Sequence, residues 1–289
     1  MLTIASWNIN SVRKRLPLLE RLADESGADV ICLQETKANA EHFPAEAISR
    51  MGFEHQAVSG FGGYNGVAIL SKHPLSEINR YPHCGRNDAR HISATIAGIS
   101  VHSLYVPAGG ELPDIERNPK FAHKLKFCDA VADHFAGNHG YRDAMVVAGD
   151  FNIAPLPADV WDHIKLSRIV THTPIEIAAL ERMKRSLQFI DTIREVVPAD
   201  DPVFTWWSYR AADWQAANKG RRLDHIWVTQ PLKAHIKSVE VLTDIRHWTP
   251  PSDHVPVILK LANLESRLLE SLASSVHVNG RPGDADANP

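Results

Sequence analysis

The sequence predicts an α/β sandwich of mixed β-sheets, on three observations. Helix, then short buried strand, then acid occurs twice, once before Glu35 and again before Asp150, as in two related halves; the halves are too dissimilar to count as a repeat. Polar side chains fall at the ends of the early strands (Asn8, Glu35, Tyr105, Asp150, Asn152) but at or before the beginnings of the late ones (Asp224, Asp253, His254). If all meet in one cleft, the late strands run against the early ones, which a single parallel sheet does not allow. Finally, 289 residues of 44% hydrophobic composition suffice for a sizeable core, as one large domain or two ordinary ones.

Taken in order, Leu2–Ser6 is an apolar run leading into Trp7-Asn8-Ile9-Asn10, a strand that ends in amides. Pro17 suits a first helical turn, Leu18, Leu19, Leu22 and Ala23 supply an apolar face, and Gly27 suits the stop. A second strand, Asp29–Leu33, runs into Gln34-Glu35-Thr36-Lys37, and a short helix over Ala45–Met51 stops at Gly52. The glycine-rich Gly62–Gly66 reads as a loop before a strand at Val67–Leu70, and Ile92–Ala97 with Ile99–Val106 reads as a hairpin turning at Gly98. Pro119–Ala136 carries the longest helical pattern and leads into the strand AMVVAGDFNI, residues 144–153. Alternation along extended backbone then places Asp150 and Asn152 on the same side. A further helix follows at Ile175–Phe189, then an irregular stretch from Asp200 to Arg222 crowded with aromatic and basic residues, then strands at Leu223–Val228 and Val255–Leu261.

Composition excludes several classes. The apolar runs are too short for a membrane span, and MLTIASWN lacks the basic and hydrophobic regions of a signal peptide, which predicts a cytoplasmic protein with no membrane partner. Cys32, Cys84 and Cys128 are isolated, so neither a thiolate zinc cluster nor a disulfide framework is expected. The formal charge of -3 argues against indiscriminate coating of nucleic acid but leaves room for a local basic face. The sixteen histidines show no HExxH and no paired spacing and read as scattered surface or hydrogen-bonded residues.

Glu35, Asp150, Asn152 and Asp253, with Asn8 nearby, offer hard oxygen ligands and no sulfur, an inventory suited to Mg²⁺ or Mn²⁺ rather than zinc. Carboxylates gathered without a cation repel one another, a separate reason to expect a metal. His254 adds an imidazole, and Asp224 is placed to fix its tautomer and favour its cation. A metal, an activating carboxylate and an imidazolium around one pocket suit displacement at a phosphodiester. Taken singly, each of these residues has an ordinary explanation as a turn, cap or core residue. Those explanations must hold independently at every position for the chemistry to be absent.

The ordered motifs carry a resemblance. Ser6-Trp7-Asn8-Ile9-Asn10, Leu33-Gln34-Glu35-Thr36-Lys37, Gly63-Tyr64-Asn65-Gly66, Tyr105-Val106-Pro107, Gly149-Asp150-Phe151-Asn152, Trp206-Trp207-Ser208-Tyr209-Arg210, Arg222-Leu223-Asp224-His225 and Ser252-Asp253-His254-Val255-Pro256 together resemble the motif series of exonuclease III-type apurinic/apyrimidinic endonucleases. The resemblance spans about residues 1–261 and implies one catalytic domain there, with 262–289 left as a short helix (Leu264–Leu272) and a flexible tail. It implies a four-layer α/β sandwich of the deoxyribonuclease I-like type, two packed sheets flanked by helices. It also implies a Mg²⁺-dependent base excision repair enzyme that cuts 5′ to abasic sites and cleans DNA 3′ ends, acting as a monomer on double-stranded DNA.

Carried onto these positions, Glu35 resembles the principal metal ligand with Asn8 beside it, Asp150 the group that activates water, and Asn152 the group that orients it. His254 resembles the phosphate-contacting imidazole oriented by Asp224, Asp253 a further metal contact, and Tyr105 the phosphate-side hydroxyl. Lys37, Arg90, Asn218 and Arg222 are the expected phosphate contacts, and Trp207, Tyr209 and Trp214 the surface near the extruded sugar. Two departures are visible. Ser103 and Ala108 stand where the family commonly has amides around the tyrosine, and the segment Tyr81–Arg90 is unusual.

Two alternatives remain open at this level. One keeps the fold but acts on another phosphate ester, RNA or phospholipid; the aromatic and arginine-rich stretch Trp206–Arg222 favours DNA. The other is a non-catalytic DNA-binding module, which is expected to lose charges at Glu35, Asp150 or His254, and all are present.

Overall fold

The structure, a computed structural model, describes residues 1–211 and 213–264. The expected helix at Leu264–Leu272 and the tail beyond it lie outside the described residues, apart from Leu264 itself. Strands are numbered in chain order. One sheet of six strands runs β13 (Ile236–Val241), β14 (Val257–Leu261), β1 (Leu2–Asn8), β2 (Val30–Gln34), β4 (Tyr64–Ser71), β3 (His55–Phe61). The other runs β5 (Ser76–Arg80), β6 (His91–Ile96), β7 (Ile99–Tyr105), β8 (Met145–Asp150), β12 (Asp224–Val228), β9 (Ile190–Asp191). A two-stranded ribbon, β10 (Trp206–Trp207) with β11 (Gly220–Arg221), stands apart from both.

Both sheets are mixed, as the placement of the polar residues requires. β1 lies parallel to β2 but antiparallel to β14, and β8 lies parallel to β7 but antiparallel to β12. The central strands are covered on both faces, which is why they read as continuous apolar runs rather than alternating ones. Ile4, Cys32 and Ile69 meet Val101, Val146 and Ile226 between the sheets. On the outer side, Ala5, Trp7 and Ile31 pack against Leu18, Leu19 and Leu22 of the helix Leu16–Ser26. The helices Pro119–Asn138 and Pro174–Arg185 cover Met145, Val147 and Trp227 of the second sheet. The result is the four-layer sandwich.

The elements the sequence did not announce lie at the edges. β5 is exposed at all five residues, and β3 and β13 are only part-buried, so none carries a continuous apolar run. The glycine loop is shorter than expected, because β4 already starts at Tyr64, opposite Phe61. Gly66, at φ +95°, sits inside that strand, where a Cβ would lie 2.2 Å from Thr36 Oγ1. The helix expected at Ile175–Phe189 begins at Pro174 behind a Thr173/Glu176 capping box and ends at Arg185. No helix among the described residues is long and apolar enough to cross a membrane.

Five of the histidines are gathered rather than scattered. His83, His91, His102, His134 and His139 gather with Tyr81 under the helix Pro119–Asn138. Three of them form a hydrogen-bonded chain, His83 Nε2 to His91 Nδ1 at 2.8 Å and His91 Nε2 to His102 Nδ1 at 2.9 Å. Their sequence separations follow strand pairing and carry no local motif. The unusual Tyr81–Arg90 segment thus sends His83 into this outer layer.

Candidate active site

Strand register delivers the polar residues to one end of the sandwich. Asp150 closes β8 directly between Tyr105 at the end of β7 and Asp224 at the start of β12. Asn8 and Gln34 pair at the ends of β1 and β2, and Glu35 follows with φ +50°, a left-handed turn that swings its carboxylate off the strand line. Gly149 is needed just before the acid, since a Cβ there would lie 1.8 Å from Leu104 O.

Asp150 and Asn152 do meet, although not by strand alternation. Asn152 adopts φ +53°, its backbone N–H donates to Asp150 Oδ1 at 2.9 Å, and its Nδ2 donates to Asp150 Oδ2 at 3.0 Å. A turn closed by the aspartate side chain, rather than extended backbone, brings the pair together. Asn152 is held further by Nδ2 to Val106 O at 3.0 Å, and by the fully buried Lys124, whose Nζ donates to Asn152 O at 2.8 Å while pairing with Glu176.

Asn8 is the bridge of the site. Its Nδ2 donates to Glu35 Oε1 at 3.0 Å and to Asp150 Oδ2 at 2.9 Å. Glu35 also accepts from the Tyr105 hydroxyl at 2.9 Å and pairs with Lys37 Nζ at 2.9 Å. Across the site, His254 Nδ1 lies 2.8 Å from Asp224 Oδ2, and its Nε2 lies 3.7 Å from Asp150 Oδ2. Its backbone is anchored by Trp7 Nε1 on His254 O at 3.1 Å.

The electrostatics assign protons. Burial pushes the Asp150 carboxyl up to about 7, with Asp224 and Glu35 adding to the rise against His254 and Asn8. Burial works against the His254 cation, but Asp224 and Asp150 outweigh it and raise the imidazole to about 10. Glu35 is likewise opposed by burial yet lowered overall by the Asn8 hydrogen bond and Lys37. Burial, then the charges of Glu35 and Asp150, drive Tyr105 well above its usual range, so it is a neutral phenol that donates.

The donor set fits a hard dication. Glu35 and Asp150, held by one amide nitrogen, are two like charges in need of a cation, and the Lys37 ammonium on Glu35 Oε2 marks where positive charge is drawn. Asp150, Asp224 and His254 bring ligand atoms within 4.8 Å of one another, but His254 Nδ1 is already bonded to Asp224 there, which makes Glu35 with Asp150 the better pair. Asp253 is less suited than expected. Asn10 Nδ2 donates to its Oδ1 at 3.0 Å and Trp206 Nε1 to its Oδ2 at 3.0 Å. Asn8, too, presents its amide nitrogen to the carboxylates, while its Oδ1 accepts from Asn10 N at 3.1 Å.

Of the residues expected on DNA, several stand elsewhere. Arg222 does not reach the surface: it is wholly buried, donating to Asp159 and Asp191. Trp207 is also buried, with Nε1 on Asn218 Oδ1 at 3.1 Å and its ring against Trp214 at 5.1 Å. Its neighbour Trp206 faces the cleft instead. The two tryptophans alternate as a strand requires, with the opposite phase from the one expected. Trp214 is half-buried, packed between Trp207 and His247. Tyr209 and Asn218 are exposed, and Lys37 half-buried, beside Glu35. Arg90 lies mostly covered, 4.6 Å over the Tyr105 ring and paired with Asp88. Ser103 is buried between the sheets, donating to Leu33 O at 3.0 Å and accepting from Gln34 Nε2 at 3.1 Å, so this departure alters the interior and not the cleft. Ala108 does line the cleft. Sequence reasoning missed Asn10, Arg15 and Lys124. Arg15 is buried and ties Asn10 O, Tyr209 Oη and Pro251 O together.

Comparison with known proteins identifies the family of the chain. The profile of the Endonuclease/Exonuclease/phosphatase family matches residues 5–254. The chain is 30% identical to exodeoxyribonuclease III of Haemophilus influenzae over 264 residues, 87% of this chain and 97% of that protein. Its fold is similar to an AP endonuclease from Archaeoglobus fulgidus (31% identity, TM-score 0.86, 91% of this chain and 100% of that chain). It is also similar to a 3′ phosphatase from Neisseria bound to product DNA hairpin (32% identity, TM-score 0.84, 91% and 100%). The chain belongs to the Endonuclease/Exonuclease/phosphatase family, within its exonuclease III-type branch of metal-dependent DNA repair nucleases.

Proposed function

We propose that this protein uses Mg²⁺ or Mn²⁺ to hydrolyse DNA phosphodiesters 5′ to abasic sites and to remove nucleotides or blocking groups from 3′ ends, as a cytoplasmic monomer. The observation that carries the reading is Asp150, held by Asn8 and Asn152 between Glu35 and the Asp224–His254 pair. Asp150, the buried carboxylate at the centre of the site, accepts the proton of the attacking water. Asn152 and its turn hold that water in line. His254 stays cationic through the reaction and, with the Tyr105 hydroxyl, donates to the phosphate oxygens as charge builds on them. Glu35 and Asp150 are the residues that would hold the metal, which supplies positive charge against the developing negative charge on the phosphate. The relatives are named for acting on DNA, which supports DNA over RNA or phospholipid.

The test is a duplex carrying one abasic site, incubated with Mg²⁺, with Mn²⁺ and with chelator, alongside a nicked duplex ending in a 3′ phosphate. Metal-dependent incision together with release of the 3′ phosphate is the expected result. Incision that persists in chelator, or no action on either substrate, overturns the reading.

A further inference from the structure

The same cleft, of about 710 Å³, carries cations that the chemistry above leaves unused. Arg221 and Arg222 are neighbours in sequence with opposite fates. Arg222 is neutralised by Asp159 and Asp191. Arg221 pairs with no carboxylate among the described residues: its Nη1 donates to Val170 O at 3.1 Å and Thr171 Oγ1 at 2.7 Å, its guanidinium lies 5.2 Å over the Trp206 ring, and its Nε is buried without a partner. A half-buried guanidinium normally recovers its lost hydration in an ion pair. One fixed by neutral oxygens and an aromatic face, in a wall shared with Asp150, Asn152 and His254, keeps its charge available to an incoming anion.

Two lysines extend the feature. Lys165 Nζ and Lys219 Nζ lie 5.2 Å and 5.1 Å from the centre of the Trp161 ring, which is tied to β11 by Trp161 N on Gly220 O at 3.2 Å. Both side chains line the cleft, and neither pairs with a carboxylate among the described residues. The ring limits where the ammonium groups wander, so less entropy is lost when they meet a ligand.

We propose that Arg221, supported by Lys165 and Lys219, forms a second phosphate subsite that grips the phosphate next to the one being cleaved. This rests on the reading that the cleft takes a DNA strand. The group recognised is a phosphate oxyanion, either an internal linkage or a terminal phosphate, and substrates with only one phosphate forgo the contact.

Single methylphosphonate linkages, which remove one charge each, test this when walked along the strand on either side of an abasic site. Binding is measured by fluorescence anisotropy in chelator, so the readout does not depend on cleavage, and KM and kcat are measured with metal. In the wild-type protein one neighbouring linkage is expected to weaken binding about tenfold when neutralised. Arg221→Gln weakens binding to the fully charged strand by the same factor, loses nothing more with that linkage neutralised, and moves KM rather than kcat. Lys165→Ala and Lys219→Ala, at exposed positions that leave the Val170–Thr171 loop untouched, each lower the salt dependence of binding by about one ion. A nicked duplex with and without a 3′ phosphate separates the sources, because an Arg221 dependence seen only with the terminal phosphate assigns the subsite to that group. Losses from Arg221→Gln and from every neutralised linkage that simply multiply, or an Arg221→Gln protein that binds like wild type, overturn the proposal. Absence of incision by a wild-type protein that still shows the charge-specific binding pattern contradicts the proposed reaction and leaves this subsite standing.

Discussion

Two groups of buried histidines sit at opposite electrostatic extremes in this molecule. His254 lies between Asp224 and Asp150 and is raised to about 10, so it is a cation across the physiological range. His91 and His102, equally buried, have other imidazoles and a serine hydroxyl as hydrogen-bond partners and are driven well below the ordinary histidine value by burial first and then by neighbouring imidazoles, His102 acting on His91 and His139 on both. Burial acts in the same direction on all three. The difference lies in the partner: a carboxylate within hydrogen-bond reach reverses the cost of burying the charge, and a second imidazole adds to it. The first arrangement keeps a buried cation beside Asp150; the second is a neutral packing layer beneath a helix.

Removing the carboxylates should erase the contrast, and the effects rank accordingly. The largest belongs to Asp150→Asn, which removes both the proposed proton acceptor and one of the acids facing His254. Single-turnover incision of an abasic duplex is expected to fall about a thousandfold or more, with DNA affinity retained. Asp224→Asn should come next, with a loss of about a hundredfold, because His254 becomes an ordinary buried imidazole that no longer holds its proton at neutral pH. A variant cutting within a few-fold of wild type removes the cation from the account.

Stability should respond to pH from both ends, and the sign follows from the two groups. The outer-layer histidines have folded values below the ordinary 6.5, His83 at about 4, so the unfolded chain binds more protons and stability falls as pH drops below about 6.5. His254 is raised, so its contribution is complete below about 6.5 and is lost as pH rises toward about 10. Asp150, raised from 3.8 to about 7, adds a penalty that accrues as pH rises through that interval and persists above it. Urea titrations of the metal-free protein between about pH 4 and pH 10 read this directly, and a flat acid limb rules out a neutral histidine chain.

The smallest effect sharpens the comparison by transplanting it. Ser100 Oγ lies 3.0 Å from His102 Nε2 at a half-buried position, so Ser100→Asp gives that imidazole the partner His254 already has. The acid limb should then shift to lower pH, with incision changed by less than about twofold.

The two regions also differ in how far the sequence revealed them. The meeting of the candidate-site residues was legible because strand ends are punctuated: Asn8, Glu35, Tyr105 and Asp150 each close or follow an apolar run, and opposed strand directions bring Asp224 and His254 to meet them. Even there the Asp150–Asn152 pairing came from a side-chain turn and not from alternation. The histidine layer was invisible, since its members come from two paired strands, a short 3-10 turn and a helix, joined only by tertiary register. The phase of Trp206 against Trp207, and of Arg221 against Arg222, was equally hidden. Two-residue strands are too short to show a period, so nothing local indicates which face is covered.

The most direct test is the protonation state of His254 itself. In metal-free protein with ¹⁵N-labelled imidazoles, the His254 signals, assigned by their loss in His254→Gln, should be those of an imidazolium at about pH 8, while His91 and His102 are neutral. The same signals in Asp224→Asn should be neutral. A His254 that is already neutral at about pH 8 in the wild-type protein contradicts the account, because the carboxylates would then not hold the charge that distinguishes the two regions.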